Sequence, residues 1–310
     1  MATAGTVANP ARPRARHNVT YSGKTLLALA IFLIPSLVVF LTFFVLPVVD
    51  AARYSFFDWT GYGPMTDFVG VKNYIAVFHN HFFFGYAIRN SLLIVAVSLF
   101  VQLPLALWGA LALAERGWGV NLLRLLFFVP YMLAEVAAGL IWRFMYDGDY
   151  GLVPVVGYMI GADLPYVLAS KVWVMPAIML VVVWKYFGFH MMIYIAGLQS
   201  IPSEVIEAAR IDGVSRTKIT WHIKIPMILP SIVVSVFFAI VGALQLFDII
   251  IPLTKGGPSN TSHTIVTFLY QFGILRLRIG FGSAVSMILF VMCVGFTIIY
   301  RRVLFPKEPA

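Results

Sequence analysis

Residues 207–213 read EAARIDG, and after nine further residues the segment 223–226 reads IKIP. Both segments lie in the stretch 199–226, which is rich in charged residues although long apolar runs precede and follow it. Charged side chains are costly in the hydrocarbon of a bilayer. We therefore expect this stretch to be a connection exposed on one side of a membrane.

Helix-capping residues divide this connection into two short helices. Ser203 is a suitable N-cap for the first, and Glu204 places a carboxylate in its first turn. The first helix is expected to run to about Asp212, because Gly213 suits the following position, where φ is positive. Ser215 is a suitable cap for the second helix. The sequence thus predicts a compact, charged element held at both ends by apolar helices.

The rest of the chain contains six apolar runs, each long enough to cross a hydrocarbon core as a helix of roughly 20 residues. Only helices and closed barrels satisfy the backbone in lipid, and the short alternating strands of a barrel are not seen. The predicted fold is therefore all-α and transmembrane. The expected spans are Leu26–Val49, Ser91–Ala114, Leu122–Phe144, Val172–Leu198, Met227–Leu253 and Gly282–Leu304.

Composition supports a membrane protein with the charged connection on the cytoplasmic side. Of the 310 residues, 61% are hydrophobic and 11% are charged, against about a quarter charged in soluble domains. The net charge of +9 does not indicate nucleic-acid binding, because most Lys and Arg residues fall on the side of the stretch 199–226 when the spans alternate. This distribution follows the positive-inside rule. It places both termini in the cytoplasm.

Several kinds of chemistry have no support in the sequence. Cys293 is the only cysteine, so neither a disulfide framework nor a cysteine-based metal site is expected. The first apolar run exceeds the length of a signal-peptide core and is expected to be retained. Gly23–Thr25 imitates the end of a phosphate-binding loop, but Asn18 occupies the place of the leading glycine. We expect no catalytic residue, metal or cofactor in this chain.

The segments EAARIDG and IKIP together resemble the EAA loop of ABC importer permeases, whose pattern is E-A-A-x3-G-x9-I-x-L-P. Ile225 replaces the usual leucine. Segments elsewhere, among them Trp184–Tyr186, Ala196–Pro202 and Leu253–Pro258, are similar to the carbohydrate branch of the family, of the maltose and glycerol-phosphate type. The similarity runs from about Ser22 to the C-terminus. It implies a six-helix importer permease bundle with a cytoplasmic coupling helix.

The resemblance also implies a set of partners. They are a second permease subunit, two cytoplasmic ATPase subunits that carry ATP and Mg²⁺, an extracytoplasmic solute-binding protein, a sugar substrate and membrane lipid of the bacterial inner membrane. In this family the loop docks into the ATPase and transmits its movement. The residues assigned to coupling are Glu204, Glu207, Ala208, Ala209, Asp212, Gly213, Ile223 and Pro226.

Polar and aromatic residues of the fourth and fifth spans are the candidates for the substrate pathway, because family members line their translocation cavity with these spans. Aromatic faces and planar hydrogen-bonding side chains are also what sugar recognition requires. The candidates are Tyr186, Phe189, His190, Gly242, Ala243, Gln245, Leu246 and Asp248. His190 is also explained by a hydrogen-bonded contact between helices, Lys185 by snorkelling to an interface, and Glu135 by pairing with Arg143 or a partner chain.

Other interpretations remain open at this point. The charged stretch is also compatible with a solvated hairpin without a partner or, less well, a lipid-surface helix or a DNA-binding helix-turn-helix. The whole chain is compatible with a permease for a non-sugar cargo, with a homodimer, or with a gradient-driven secondary transporter, although no internal repeat supports the last. In domain terms we expect a disordered cytoplasmic tail over 1–21, the permease domain over 22–305 and a C-terminal cytoplasmic tail over 306–310.

Overall fold

A computed structural model describes residues 23–115 and 117–304 of the protein. The predicted tails 1–21 and 306–310 lie outside the described residues. Two units make up the chain, Met1–Asp50 and Ala51–Ala310. Over the described residues the regular structure is helical, apart from a single antiparallel bridge between Phe57 and Phe68. The predicted all-α fold is confirmed.

The first unit is described from residue 23 and is helical. It comprises Gly23–Phe40, a π-helical turn Leu41–Val45 and the start of Leu46–Tyr54. Pro35 lies inside the first of these helices. The predicted span Leu26–Val49 falls within this helical stretch, and its length and apolar character suit a membrane crossing.

Long apolar helices continue through the second unit. Phe83–Ala112, Val174–Gln199 and Ile279–Val303 are each long enough to cross a membrane. Two further candidates are pairs of helices joined by a sharp bend. Counting each bent pair as one span, the described residues provide up to six crossings, which agrees with the six predicted.

The predicted third span, Leu122–Phe144, is not one straight helix. It consists of Trp118–Met132 and Glu135–Met145, bent by 97° at Leu133 and Ala134. A break inside a membrane protein exposes backbone carbonyls that must find donors. Here the buried ammonium of Lys185 donates to the carbonyls of Pro130, Tyr131 and Leu133, over 3.2, 3.1 and 2.5 Å. The apolar run indicated the span, but a lysine distant in sequence stabilises its break.

The predicted fifth span, Met227–Leu253, is also interrupted. Helix Leu229–Leu244 follows a bend of 65° from the segment Arg216–Met227. The chain then leaves the helical path before the short helix Ile250–Thr254. The hydroxyl of Thr264 donates to the carbonyl of Leu246 over 2.9 Å and so satisfies one carbonyl freed by the interruption. This partner lies eighteen residues further along the chain, so a hydropathy pattern does not reveal it.

Shorter helices complete the second unit. They are Lys72–Phe78, Leu152–Ile160, Val167–Ala169, Ser203–Ile211, Arg216–Ile219, Thr220–Lys224, Ile225–Met227, Ile265–Leu269 and Tyr270–Ile274.

Helix Val174–Gln199 is central to the second unit. It packs against Leu103–Ala112 on one side and Trp118–Met132 on another. The contact with the second of these helices is close at Gly188, where an added Cβ would collide with the carbonyl oxygen of Phe127. A residue without a side chain is therefore required there for the two helices to approach.

Candidate functional site

A cavity of about 380 Å³ lies between the helices of the second unit. Its volume lies within the range of small-molecule sites, roughly 300–1,000 Å³. Five helical segments contribute to its wall, together with two residues that follow the helix Leu229–Leu244. The lining residues are Ser98, Gln102, Tyr131, Glu135, Val182, Tyr186, Phe189, His190, Phe238, Ala239, Gly242, Ala243, Gln245 and Leu246.

Most residues that the sequence assigns to a substrate pathway meet at this cavity. Those lining it are Tyr186, Phe189, His190, Gly242, Ala243, Gln245 and Leu246. Asp248 is exposed and lies outside the lining, beyond the end of the helix at Leu244. The part that any of these residues plays in binding cargo stays a prediction.

One wall of the cavity is formed by a π-helical turn, Ser98–Gln102, within the long helix Phe83–Ala112. Both Ser98 and Gln102 are almost fully buried and line the cavity. Pro104 follows at the start of the next α-helical segment and has no N–H to donate back to residue 100. Such turns frequently lie at functional sites. Here the turn brings two polar side chains to the cavity from a largely apolar helix.

The bend between Trp118–Met132 and Glu135–Met145 brings another polar side chain, Glu135, to the cavity. Glu135 begins the second of these helices, and the hydroxyl of Tyr186 donates to its carboxylate over 2.5 Å. The expected pairing of Glu135 with Arg143 is wrong within this chain, because the two residues are separated by roughly 12 Å along one helix and the carboxylate accepts from Tyr186 instead. Lys185 does not snorkel either. It is 1% exposed and donates to the carbonyls at the bend.

Two polar atoms of the lining have no hydrogen-bond partner within the described residues. They are Oε1 of Gln102 and Nδ1 of His190, on side chains that are 1% and 2% exposed. Buried polar groups are rarely left unpaired, and each such atom calls for an explanation. The sequence allowed His190 to be explained by a hydrogen bond between helices, but its Nδ1 makes none here. Both atoms are themselves buried in this conformation.

Aromatic rings cover a further part of the cavity. Tyr131 and Phe189 are stacked, with ring centroids 4.6 Å apart, and Phe238 meets Phe189 edge to face at 5.9 Å. Flat apolar faces beside hydrogen-bonding groups are suited to a ligand that is polar at its edges and apolar on its faces. A sugar ring has this character.

The coupling loop, defined as residues 199–226, forms the two predicted helices. The first is Ser203–Ile211, and Pro202 rather than Ser203 occupies its N-cap position. Gly213 has a φ of +74°. The N–H of Val214 donates to the carbonyl of Ala209, and that of Gly213 to the carbonyl of Arg210, both over 3.0 Å. This is a Schellman motif, and it stabilises a sharp end to the helix.

The second helix begins where the sequence predicts. Ser215 is its N-cap and accepts a hydrogen bond from the N–H of Lys218 over 3.5 Å. The segment then continues through Arg216–Ile219 and the π-helical turn Thr220–Lys224. Ile223 is half-buried and Pro226 is exposed. The motif residues thus lie along a folded element and not in an irregular connection.

The first helix presents most of its assigned residues to solvent. Glu204, Glu207, Ala208, Asp212 and Gly213 are exposed. Ala209 is different, because it is only 8% exposed and therefore packs within its own chain. The exposed surface instead includes an apolar residue that the sequence interpretation missed, Ile211, which is 86% exposed.

The coupling loop and the cavity share two helices. Val174–Gln199 enters the loop, and Leu229–Leu244 leaves it. From His190 to Gln199 the first helix covers roughly 14 Å, and from Leu229 to Gly242 the second covers roughly 20 Å. Side chains of both helices belong to one buried cluster near the loop, including Leu198 and Ile228. The loop and the cavity are therefore joined by packed helices.

The sequence interpretation missed several lining residues. Ser98, Tyr131, Val182 and Phe238 carry no distinguishing local pattern. Pro104 beside Gln102 was the available signal for the π-helical turn, and the intramembrane carboxylate was the signal for Glu135. The convergence of these residues depends on the bend at 133–134 and could not be read from spacing.

Comparison with known proteins gives a consistent result. A family model described as "Binding-protein-dependent transport system inner membrane component" matches residues 103–304. The sulfoquinovosyl glycerol transport system permease protein SmoG of Agrobacterium fabrum is 32% identical over 291 residues, covering 92% of each chain. The trehalose/maltose transport system permease protein MalF of Thermococcus litoralis is 32% identical over 274 residues, covering 88% of this chain and 92% of that protein.

A solved structure has the same fold. It is a chain of a bacterial alginate ABC transporter in complex with an alginate pentasaccharide-bound periplasmic protein. The TM-score is 0.79 at 24% sequence identity, and the match covers 93% of this chain and 98% of that chain.

Proposed function

Because this chain belongs to the family of binding-protein-dependent transport system inner membrane components, we propose that it is a permease subunit of an ATP-driven importer for a sugar or sugar-like solute. The observation that carries this proposal is the connection between the coupling loop and the cavity. The two helices that hold the loop also supply much of the cavity lining, from Val182 to His190 and from Phe238 to Leu246.

The cavity supports a sugar as cargo. Its lining combines the stacked rings of Tyr131 and Phe189 with the polar groups of Gln102, Glu135 and His190. Relatives over most of the chain are named for trehalose/maltose, sulfoquinovosyl glycerol and multiple-sugar transport. These names differ in the sugar, so for this chain the proposal extends to the class and not to one compound.

The proposed assembly contains partners on other chains. A second permease subunit completes the translocation pathway, and two cytoplasmic ATPases bind ATP and Mg²⁺. An extracytoplasmic binding protein delivers the cargo. A pair of different permeases is favoured over two copies of this chain, because that is the arrangement expected from the carbohydrate branch that the sequence resembles.

The coupling loop is the proposed contact with an ATPase. A short helix with both ends held in membrane helices loses little of an applied movement to bending. Glu204, Glu207, Ala208, Asp212 and Gly213 supply its exposed surface, and Ile223 and Pro226 lie where the second helix returns to the membrane. Ala209 contributes from inside, by packing the first helix against its own chain.

The proposed mechanism is alternating access. ATP binding draws the two ATPases together and displaces the coupling loop. Helices Val174–Gln199 and Leu229–Leu244 move with the loop, so the cavity opens to the outer side, where the binding protein releases its cargo. ATP hydrolysis returns the helices and opens the cavity to the cytoplasm. The coupling loop and both termini are accordingly cytoplasmic in the proposed topology.

Affinity purification of the chain from its native membrane tests the assembly. After gentle solubilisation, mass spectrometry is expected to identify an ATPase subunit and a second permease. Recovery of the chain alone, together with uptake that persists when ATP is depleted, would instead favour a gradient-driven transporter.

Reconstitution then tests the cargo. The purified complex in liposomes, supplied with its binding protein, is expected to accumulate a radiolabelled sugar only when ATP and Mg²⁺ are present on the side of the ATPases. Import of an amino acid or phosphate, without import of any sugar in a panel, would support the proposal that the complex is an importer. It would contradict the proposal that its cargo is a sugar.

A further inference from the structure

The charged side chains that line the cavity are acidic, not basic. Glu135 is the only carboxylate among the described lining residues, and neither lysine nor arginine is among them. Its carboxylate accepts a hydrogen bond from Tyr186, whose ring also lines the cavity. A molecule entering the cavity therefore meets a carboxylate that is hydrogen-bonded on one oxygen.

The nearest intramembrane cation lies just behind the wall, with its ammonium 5.7 and 5.9 Å from the ring centroids of Tyr131 and Tyr186, and it is a counter-charge to Glu135. Lys185 is 1% exposed and is not among the lining residues. An ammonium group has three N–H donors, and the three carbonyls of Pro130, Tyr131 and Leu133 accept from it. Lys185 thus stabilises the helix bend behind the wall. It has no donor left for an anionic ligand.

The carboxylate of Glu135 differs from the other polar groups of the described lining because it can only accept hydrogen bonds. Oε1 of Gln102 is an acceptor without a partner among the described residues, on a side chain that is 1% exposed. That oxygen is itself buried, and Ser98, Tyr131 and Gln245 add hydroxyl and amide groups that can donate as well as accept. At Glu135, hydroxyl and ammonium groups of a ligand can donate to the carboxylate, whereas carboxylate, phosphate and sulfonate groups only accept at neutral pH.

We propose that Glu135 makes this cavity selective for charge, so that it accepts uncharged sugars and amino sugars and disfavours sugars that carry an acidic group. This inference rests on the proposed function, because it assigns the cargo class of the same cavity. The physical reason is that an anion in the cavity meets the carboxylate of Glu135 directly and is repelled by it, whereas the three N–H donors of Lys185, behind the wall, are engaged by backbone carbonyls.

Charged thiol reagents measure this property without any knowledge of the cargo. Gly242 is a suitable reporter position, since it is exposed to the cavity and an added Cβ meets nothing within 4 Å. In the purified complex, Gly242→Cys is combined with Cys293→Ser to leave a single thiol on this chain. Labelling rates with trimethylammonium-ethyl and sulfonato-ethyl methanethiosulfonate are followed by the mass of the chain and normalised to those of free cysteine.

The expected normalised rate ratio favours the cationic reagent by about tenfold. Glu135→Gln should remove most of that preference, and Glu135→Lys should reverse it. A matched control places the reporter at Thr217 in the coupling loop, where changes at Glu135 should leave the ratio unaltered. A ratio near that of free cysteine, or one that Glu135→Gln does not change, would overturn the proposal.

Protection by sugars links the charge preference to cargo. Glucose, glucosamine and glucuronate, each at the same concentration, are compared for their ability to slow labelling of Gly242→Cys by an uncharged reagent. Glucosamine and glucose should protect more than glucuronate, and Glu135→Gln should raise protection by glucuronate about fivefold relative to glucose. Equal protection by glucose and glucuronate in the unaltered chain would contradict the assignment.

The labelling experiments do not test the proposed function. If the proposed function is wrong, the result is uptake that does not require ATP, whatever the charge preference of the cavity.

Discussion

The coupling loop and the cavity are built in opposite ways, although the same two helices join them. The coupling loop is formed by consecutive residues, and its most exposed apolar side chain, Ile211, is 86% exposed. The cavity is formed by side chains from distant parts of the chain, and its polar members Gln102 and His190 are 1% and 2% exposed. A surface that meets another protein can be encoded locally, whereas a site that encloses a small molecule requires several elements.

The two regions also differ in how their polar groups are satisfied. At the end of helix Ser203–Ile211, the last carbonyls accept hydrogen bonds from the N–H groups of Gly213 and Val214. The cavity instead leaves atoms of Gln102 and His190 without partners among the described residues. Polar groups of the coupling loop are thus satisfied by their neighbours in sequence, whereas those of the cavity depend on which distant elements meet there.

The largest expected effect comes from closing the space between the cavity helices. Gly188→Ala places a methyl group against the carbonyl of Phe127, and overpacking of this kind costs about 1–3 kcal/mol of the free energy of unfolding. The melting temperature of the solubilised complex should fall by several degrees and uptake should be largely lost. Gly242→Ala is the matched control, because its Cβ meets nothing within 4 Å. Equal melting temperatures for the two variants would show that the helices are not closely packed at Gly188.

The second effect concerns the coupling loop alone. Glu207→Ala combined with Gly213→Ala removes an exposed carboxylate and forces an alanine into a φ of +74°, at a local cost of roughly 1–2 kcal/mol. We expect uptake to fall about tenfold, either through loss of the ATPase or through ATP hydrolysis that is no longer linked to uptake. Cargo binding to the cavity should be unchanged. Thr217→Ala, at another exposed position of the loop, is the control, and coupling like that of the unaltered chain in the double variant would remove the proposed role.

The third effect separates a structural role of the cavity from a binding role. Gln102→Leu removes a buried oxygen that has no partner, and replacing such a group with an apolar one is nearly neutral or stabilising. The melting temperature should therefore be unchanged or higher, whereas uptake should fall about fivefold, since a hydrogen bond to cargo is worth roughly 1 kcal/mol. A clear loss of stability with normal uptake of the surviving protein would assign Gln102 to the scaffold.

The smallest effect tests whether local capping matters for coupling. Ser215→Ala removes a cap whose oxygen lies 3.5 Å from the N–H of Lys218. A bond of this length is weak, so we expect a cost of about 0.5 kcal/mol, the lower limit for N-caps. ATP-driven uptake should change by less than about twofold. A tenfold loss would mean that the second helix, and not only the first, determines the contact with the ATPase.

Much of the coupling loop was predictable because its signals are local. Gly213 was expected to follow the first helix with positive φ, and Ser215 to cap the second, and the structure has both. The N-cap was placed one residue late, at Ser203 instead of Pro202. The burial of Ala209 was missed, since the side of a short helix that faces its own chain depends on how the flanking helices enter the loop.

Cavity residues were predictable only in part. The resemblance to a family with a known pathway indicated Tyr186, Phe189 and Gly242, among others, and these line the cavity. Asp248 was included as an ionisable residue within a predicted span, but the helix ends at Leu244 and Asp248 is exposed and outside the lining. Glu135 and Lys185 were interpreted as structural or interfacial charges. Nothing in the sequence reveals the bend, which places Glu135 at the cavity and leaves the carbonyls to which Lys185 donates.

By itself the sequence determined that this chain is an all-α membrane protein with a charged connection between apolar helices. Hydrophobic length, charge distribution and capping residues act over a few turns, so they can be read along the chain. The tertiary structure alone decided where two of the spans break and which polar side chains line the cavity. It also decided that Lys185 bonds to backbone carbonyls and does not line the cavity. These features depend on hydrogen bonds between residues about fifty positions apart, such as Lys185 with Leu133, and no local pattern encodes such a pairing.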